Sequence, residues 1–154
     1  MTTYLKTLIT GAAMLTTVVL PAAASDGVVT VKSDYSVAET VARIKKDVLK
    51  KGLMFFGVID QAKLGNKAGN DVKPSRLLMF GNPALGTTFI TSNPEAGLDW
   101  PVRVLVFQTG DGAVYAAYSD FDWIAKRHGI TDRSAQFKMA TEVIQSVTSS
   151  IRKN

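Results

Sequence analysis

His128 is the single histidine of the chain. An imidazole ordinarily titrates near neutrality, so this side chain is the natural general acid or base. Paired with Asp99 or Asp120 it would make an acid–base couple. A Ser-His-Asp nucleophile would need this same histidine, and no glycine-flanked serine elbow is present. The other chemically dense stretch is Gly97-Leu98-Asp99-Trp100-Pro101-Val102-Arg103. Asp99 can accept hydrogen bonds, Trp100 can stack on a ring, and Arg103 can fork onto a carboxylate or phosphate. The same residues also read as a turn cap, a core-edge filler and an ion-pair partner for Asp99 or Asp120. Asn82 follows Gly81 and precedes Pro83, a helix-start signature with free amides that suits an anion as well as simple capping. The glycine-lysine-serine signature of a phosphate loop is absent. The expected ligand-binding set is therefore Asn82, Asp99, Trp100, Arg103 and His128, with no catalytic residue assigned.

Metal chemistry has little to work with. There is no cysteine, one histidine, and the methionines Met54, Met79 and Met139 are scattered. Haem, copper and other cofactors are not expected. Tyr115, Tyr118, Phe121 and Trp123 cluster in sequence and suit a pocket, a dimer face or ordinary core. Lys126, Arg127 and His128 read as the last turn of a helix, where cations offset the dipole, with Gly129 as its cap.

These residues need elements to position them. Gly27 to Lys32 is rich in β-branched residues and predicts a strand. Ser36 with Glu39 predicts a capping box, and Val37, Val41, Ile44, Val48 and Leu49 predict one buried stripe on a helix to about Lys51. Leu53 to Ile59 is apolar on both faces, which predicts a central strand. A weak helical pattern follows through Ala62, Leu64 and Ala68. Ser75 to Phe80 predicts a strand, and Asn82-Pro83 starts a helix that ends before Pro94, with Leu85, Phe89 and Ile90 on its buried face. Val102 to Thr109 and Ala113 to Ser119 form a hairpin across Gly110-Asp111-Gly112. Ser119 or Asp120 caps a helix to His128. A last helix spans about Asp132 to Ile151, with Ala135, Met139, Val143, Ile144 and Val147 as its stripe. The predicted fold is α+β: a single compact domain with a mainly antiparallel sheet of about five strands covered by helices on one side.

The N-terminus carries Lys6, an apolar run from Leu8 to Leu20, then Pro21 and Ala22-Ala23-Ala24. That order predicts a secretory signal peptide over residues 1–24, cut near Ala24, and a periplasmic or secreted domain over residues 25–154. The apolar run falls short of the roughly 20 residues a spanning helix needs, so no membrane association is expected after cleavage. Cleavage would take one cation from the formal net charge of +5 and no acid. The remaining charge is mild and scattered, unlike the basic stripe of a nucleic-acid binder. Without cysteine no disulfide can form, so the core must supply the stability.

Gly81-Asn82-Pro83, Gly97 to Arg103, Tyr118-Ser119-Asp120 and Arg127-His128-Gly129, in this order, resemble the domain of unknown function 302 family. The resemblance runs from about Val29 to Ile130. It implies a small α+β domain, dimeric in some members and exported in others, with no settled activity. Many members carry a histidine after the aspartate that ends the second strand; here the pair is Asp60-Gln61. The residues suit an exported module that binds a small anionic or aromatic ligand without catalysis. The alternatives are an interaction protein that dimerises through its sheet and an acid–base enzyme using His128.

Overall fold

The computed structural model describes residues 27–153, so the expected signal peptide lies outside the described residues. In chain order the elements are β1 (Val28–Ser33), α1 (Val37–Lys50), β2 (Met54–Asp60), α2 (Gln61–Lys67), β3 (Ser75–Gly81), α3 (Pro83–Ser92), a 3-10 turn (Pro94–Leu98), β4 (Val102–Gln108), β5 (Val114–Ser119), α4 (Phe121–Arg127) and α5 (Ser134–Ser149). The strands make one sheet in the order β1-β5-β4-β3-β2. All four neighbouring pairs are antiparallel, as the α+β reading anticipates.

Strand alternation sends one set of side chains to the helices and the other to the far face. Leu78, Phe80, Val104, Val106 and Ala116 are 0–1% exposed. They share one core with Ile44 and Val48 of α1 and Ile144 and Val147 of α5. Each such side chain contributes about 1.5–3 kcal/mol by leaving water. The far face carries Leu77, Met79, Leu105, Phe107, Tyr115 and Ala117, all partly exposed. Register aligns Ile59, Leu77, Leu105, Ala117 and Thr30 in one row across the sheet. Phe107 and Tyr115 stack beside that row with centroids 5.8 Å apart.

Four sequence expectations change. β2 is an edge strand, not a central one. It pairs with β3 alone, and a register shift between Phe55 and Gly57 breaks its alternation, leaving Met54, Phe56, Val58 and Ile59 exposed. Its continuous apolar run reflects this irregular edge rather than burial on two faces. On α1, Leu49 points outward at 54% exposure, while Thr40 takes a core position and bonds the Ser33 hydroxyl at 2.7 Å. Ser36 caps α1 through the Glu39 amide, but the Glu39 carboxylate turns to Arg43 instead of closing the box. On α5 the buried side holds Phe137, Ala140, Ile144, Val147 and Thr148; Met139 is 53% exposed and Ala135 is exposed too. The helix is rotated so that Phe137 stacks on Phe89 of α3, 4.3 Å between centroids.

At the Asp60-Gln61 departure, Asp60 caps α2 through the Lys63 amide and pairs with Arg76 at 3.2 Å. The amide, with the nearby guanidinium, holds its carboxyl below the ordinary carboxylate value. Gln61 accepts a hydrogen bond from the Ser75 hydroxyl.

Candidate functional site

Asp99 stands at the end of the 3-10 turn, where its own amide donates to the Ala96 carbonyl. The turn exists because Asn93 caps it through the Glu95 amide and Pro94 fills its first position. Asn93 also donates its side-chain N–H to the His128 carbonyl at 2.9 Å, which ties the turn to the end of α4. Asp120 starts α4 by accepting from the Trp123 amide. Gly129, with φ +60°, ends it. Two capped segments far apart in sequence thus bring Asp99 and His128 face to face.

The Asp99 side chain is 4% exposed and holds three partners. Arg103 donates to Oδ1 at 3.0 Å. Arg127 donates to Oδ1 at 3.4 Å and to Oδ2 at 3.1 Å. His128 Nε2 lies 2.7 Å from Oδ2. A carboxylate only accepts, so Nε2 is the donor in this contact. His128 therefore does not present a solvated cation at the helix end; its ring is 3% exposed and packed on Asp99. Arg103 and Arg127 are only half-covered. Arg103 also donates to the Leu98 carbonyl, and Arg127 lies over the Trp123 ring. Asp120 stays with its helix cap and does not meet His128.

Trp100 points the other way. Its indole lies against Gly81 at the end of β3 and Gly86 in α3. A Cβ added at Gly86 would fall 1.7 Å from Nε1, and one at Gly81 would fall 3.1 Å from it. The Trp100–Pro101 peptide is cis. Phe56 meets the indole edge-on at 5.7 Å. The indole occupies the approach to the α3 backbone, and Asn82 Oδ1 already accepts from the Ala84 and Leu85 amides. The start of α3 is thus satisfied by its own cap.

Between the sheet and helices α3, α4 and α5 lies a cavity of about 80 Å³. Leu53, Phe80, Leu85, Phe89, Val102, Phe121, Ile124, Phe137, Met139, Ala140 and Val143 line it, with Asn82, Asp99 and Trp100 as its polar side chains. Of the five expected site residues, Asn82, Asp99 and Trp100 reach this cavity. Arg103 and His128 stand behind Asp99. Arg127 and the α5 residues were not foreseen as part of the site. A cation adjacent to His128 and a glycine inside a helix, Gly86, were the available signals. The aromatic group divides: Phe121 lines the cavity, Tyr118 is core, Trp123 packs on Gly27, and Tyr115 lies on the far sheet face.

Residues 29–152 match the family described as Domain of unknown function DUF302. A crystal structure of an uncharacterized conserved DUF302 protein from Bacillus stearothermophilus superposes with a TM-score of 0.75. At 15% identity it covers 83% of this chain and all of that one, and it shares the fold. Among curated proteins, Fluoride-specific ion channel FluC 1 of Brucella suis biovar 1 (strain 1330) is 36% identical over 104 residues, 68% of this chain. The match spans 41% of that relative's length. FluC 1 of Brucella abortus biovar 1 (strain 9-941) matches equally over 38% of its length.

Proposed function

Because the chain belongs to the Domain of unknown function DUF302 family, whose description assigns no activity, its function has to come from the site, and we propose a binding module for a small, largely apolar ligand, without catalysis of its own. The observation that carries this reading is the apolar cavity beside the buried Asp99 cluster. An apolar guest there would take its own surface and that of the lining out of water. The volume is roughly half that of an engineered cavity of ~150 Å³ that takes up benzene. A slender alkyl chain or part of a ring enters it, with the remainder of the ligand at the mouth.

The Asp99–His128 pair supports a structural rather than an acid–base role. The imidazole is enclosed, and among the described residues no serine or threonine hydroxyl is bonded to it. The channel activity named for the Brucella relatives is not carried over. More than half of each relative lies outside the match. No helix among the described residues is long and apolar enough to cross a membrane. An accessory role beside a partner fits both facts. Export of the module is supported by Lys6, the apolar run and Ala22-Ala23-Ala24.

The test is a titration of the protein with octanol followed by amide NMR shifts. Saturable shifts centred on Leu85, Phe89 and Ala140 are expected. Ala140→Leu, which fills the cavity from α5, should abolish them while keeping the melting temperature. Shifts that do not saturate, or that scatter over the far sheet face, would remove this reading.

A second reading has its own observation. The apolar rows on the far face of the sheet suit a second copy of the chain, giving a homodimer through its sheet.

A further inference from the structure

Building on the cavity reading, we infer that the ligand carries a hydrogen-bond acceptor, a carbonyl or carboxylate oxygen, at the end that meets Trp100 and Asn82. Three cavity-lining side chains are polar: Asn82, Asp99 and Trp100. Asp99 looks like the anchor for a cationic head, but its oxygens are taken. Oδ1 accepts from Arg103 and Arg127, and Oδ2 accepts from Arg127 and His128. Two guanidinium groups outweigh its single negative charge, so an ammonium ligand would meet a net cationic cluster.

Trp100 and Asn82 are the reverse case. Among the described residues the Trp100 indole N–H has no hydrogen-bond partner. Yet no buried side-chain nitrogen or oxygen in that set lacks one. Nε1 is therefore not fully buried, in a side chain that lines the cavity. Nε1 is the indole atom nearest both Gly81 and Gly86, the two glycines that flank Asn82 at the cavity wall. Asn82 spends its oxygen on the Ala84 and Leu85 amides. Its NH₂ carries donors only and has no partner among the described residues. Two free donors, no free acceptor side chain and an apolar interior select an acyl-type ligand: apolar body inward, oxygen toward Trp100. A free acid and a neutral ester share this chemistry.

The experiment compares octanoate, methyl octanoate and octylammonium on the wild-type protein and on Trp100→Phe, which keeps a ring and removes the N–H. On wild type, octanoate and methyl octanoate should both bind more tightly than octylammonium. Octanoate ahead of methyl octanoate would identify a free acid as the better ligand; the reverse would identify a neutral ester. Trp100→Phe should weaken methyl octanoate about fivefold and octanoate about thirtyfold, and leave octylammonium unchanged. Octylammonium binding as tightly as octanoate to wild type would overturn the inference. So would a folded Trp100→Phe that keeps the wild-type affinities. If Trp100→Phe does not fold, the wild-type ranking decides. If octanol occupies the cavity but the ranking fails, the acceptor inference falls and the cavity reading stands. If octanol and all three probes fail to bind, both fall.

Discussion

At the scale of single residues, Asp99 concentrates the consequences. Its carboxylate is buried and holds Arg103, Arg127 and His128 together. Removing that carboxylate leaves the enclosed His128 N–H without its acceptor, while solvent takes over much of what the two half-exposed guanidiniums lose, at a cost of about 1–3 kcal/mol. Arg103 is half-exposed, and solvent replaces most of what it loses. Asp99→Asn should therefore lower stability by roughly 2 kcal/mol, and Arg103→Ala by about 1 kcal/mol or less. Urea unfolding of the two variants measures the difference. Equal losses would show that Arg103, and not the buried carboxylate, holds the turn in place. The type and the spacing of these residues were visible in the sequence. That His128 turns inward onto Asp99, and not outward as a helix-end cation, was not, because a C-terminal helical position permits both.

At the scale of elements, α3 shows how a local rule yields to packing. Glycine in a helix interior costs about 1 kcal/mol relative to alanine. By that rule alone, Gly86→Ala would stabilise the protein. The indole of Trp100 stands where the new methyl group would go, 1.7 Å from Nε1. Overpacking of this kind costs about 1–3 kcal/mol or more, so the clash outweighs the gain. Gly86→Ala should lower the melting temperature and shift Trp100 fluorescence, because the ring has to leave its seat. A higher melting temperature with unchanged fluorescence would place the indole elsewhere. Caps and glycines marked α1, α3 and α4 well, since Ser36, Asn82 and Asp120 act on neighbours within three residues. The buried faces of α5 and β2 were less legible. A helix stripe can be rotated by one residue at little cost in pattern, and the irregularity after Phe55 undoes strict alternation.

At the scale of the whole molecule, one face of the sheet is closed by helices and the other is mostly apolar and partly exposed, with Lys32 opposite Tyr115 and Arg103 opposite Met79. Leu105 lies in the row that crosses all the strands. If two copies meet there, Leu105→Lys should convert a dimer into a monomer by light scattering, with the fold retained by circular dichroism. A monomeric wild-type protein, or a dimer indifferent to the charge, would leave that face to another use. The dimer experiment is independent of the cavity, which opens on the helical side.

The sequence by itself determined the α+β class, the order of its strands and helices, and the family. Those follow from short-range rules: apolar periodicity, capping residues and glycine stops, each legible within a few neighbours. It also carried the dense turn from Gly97 to Arg103. Only the tertiary structure decided that β2 lies at the edge and that Asp99 meets His128, 29 residues away. It alone showed that Trp100 fills the space over Gly86 and that a cavity lies between the sheet and α5. These outcomes depend on which surfaces close against each other. That choice is made by the packing of the whole chain, which no local pattern encodes.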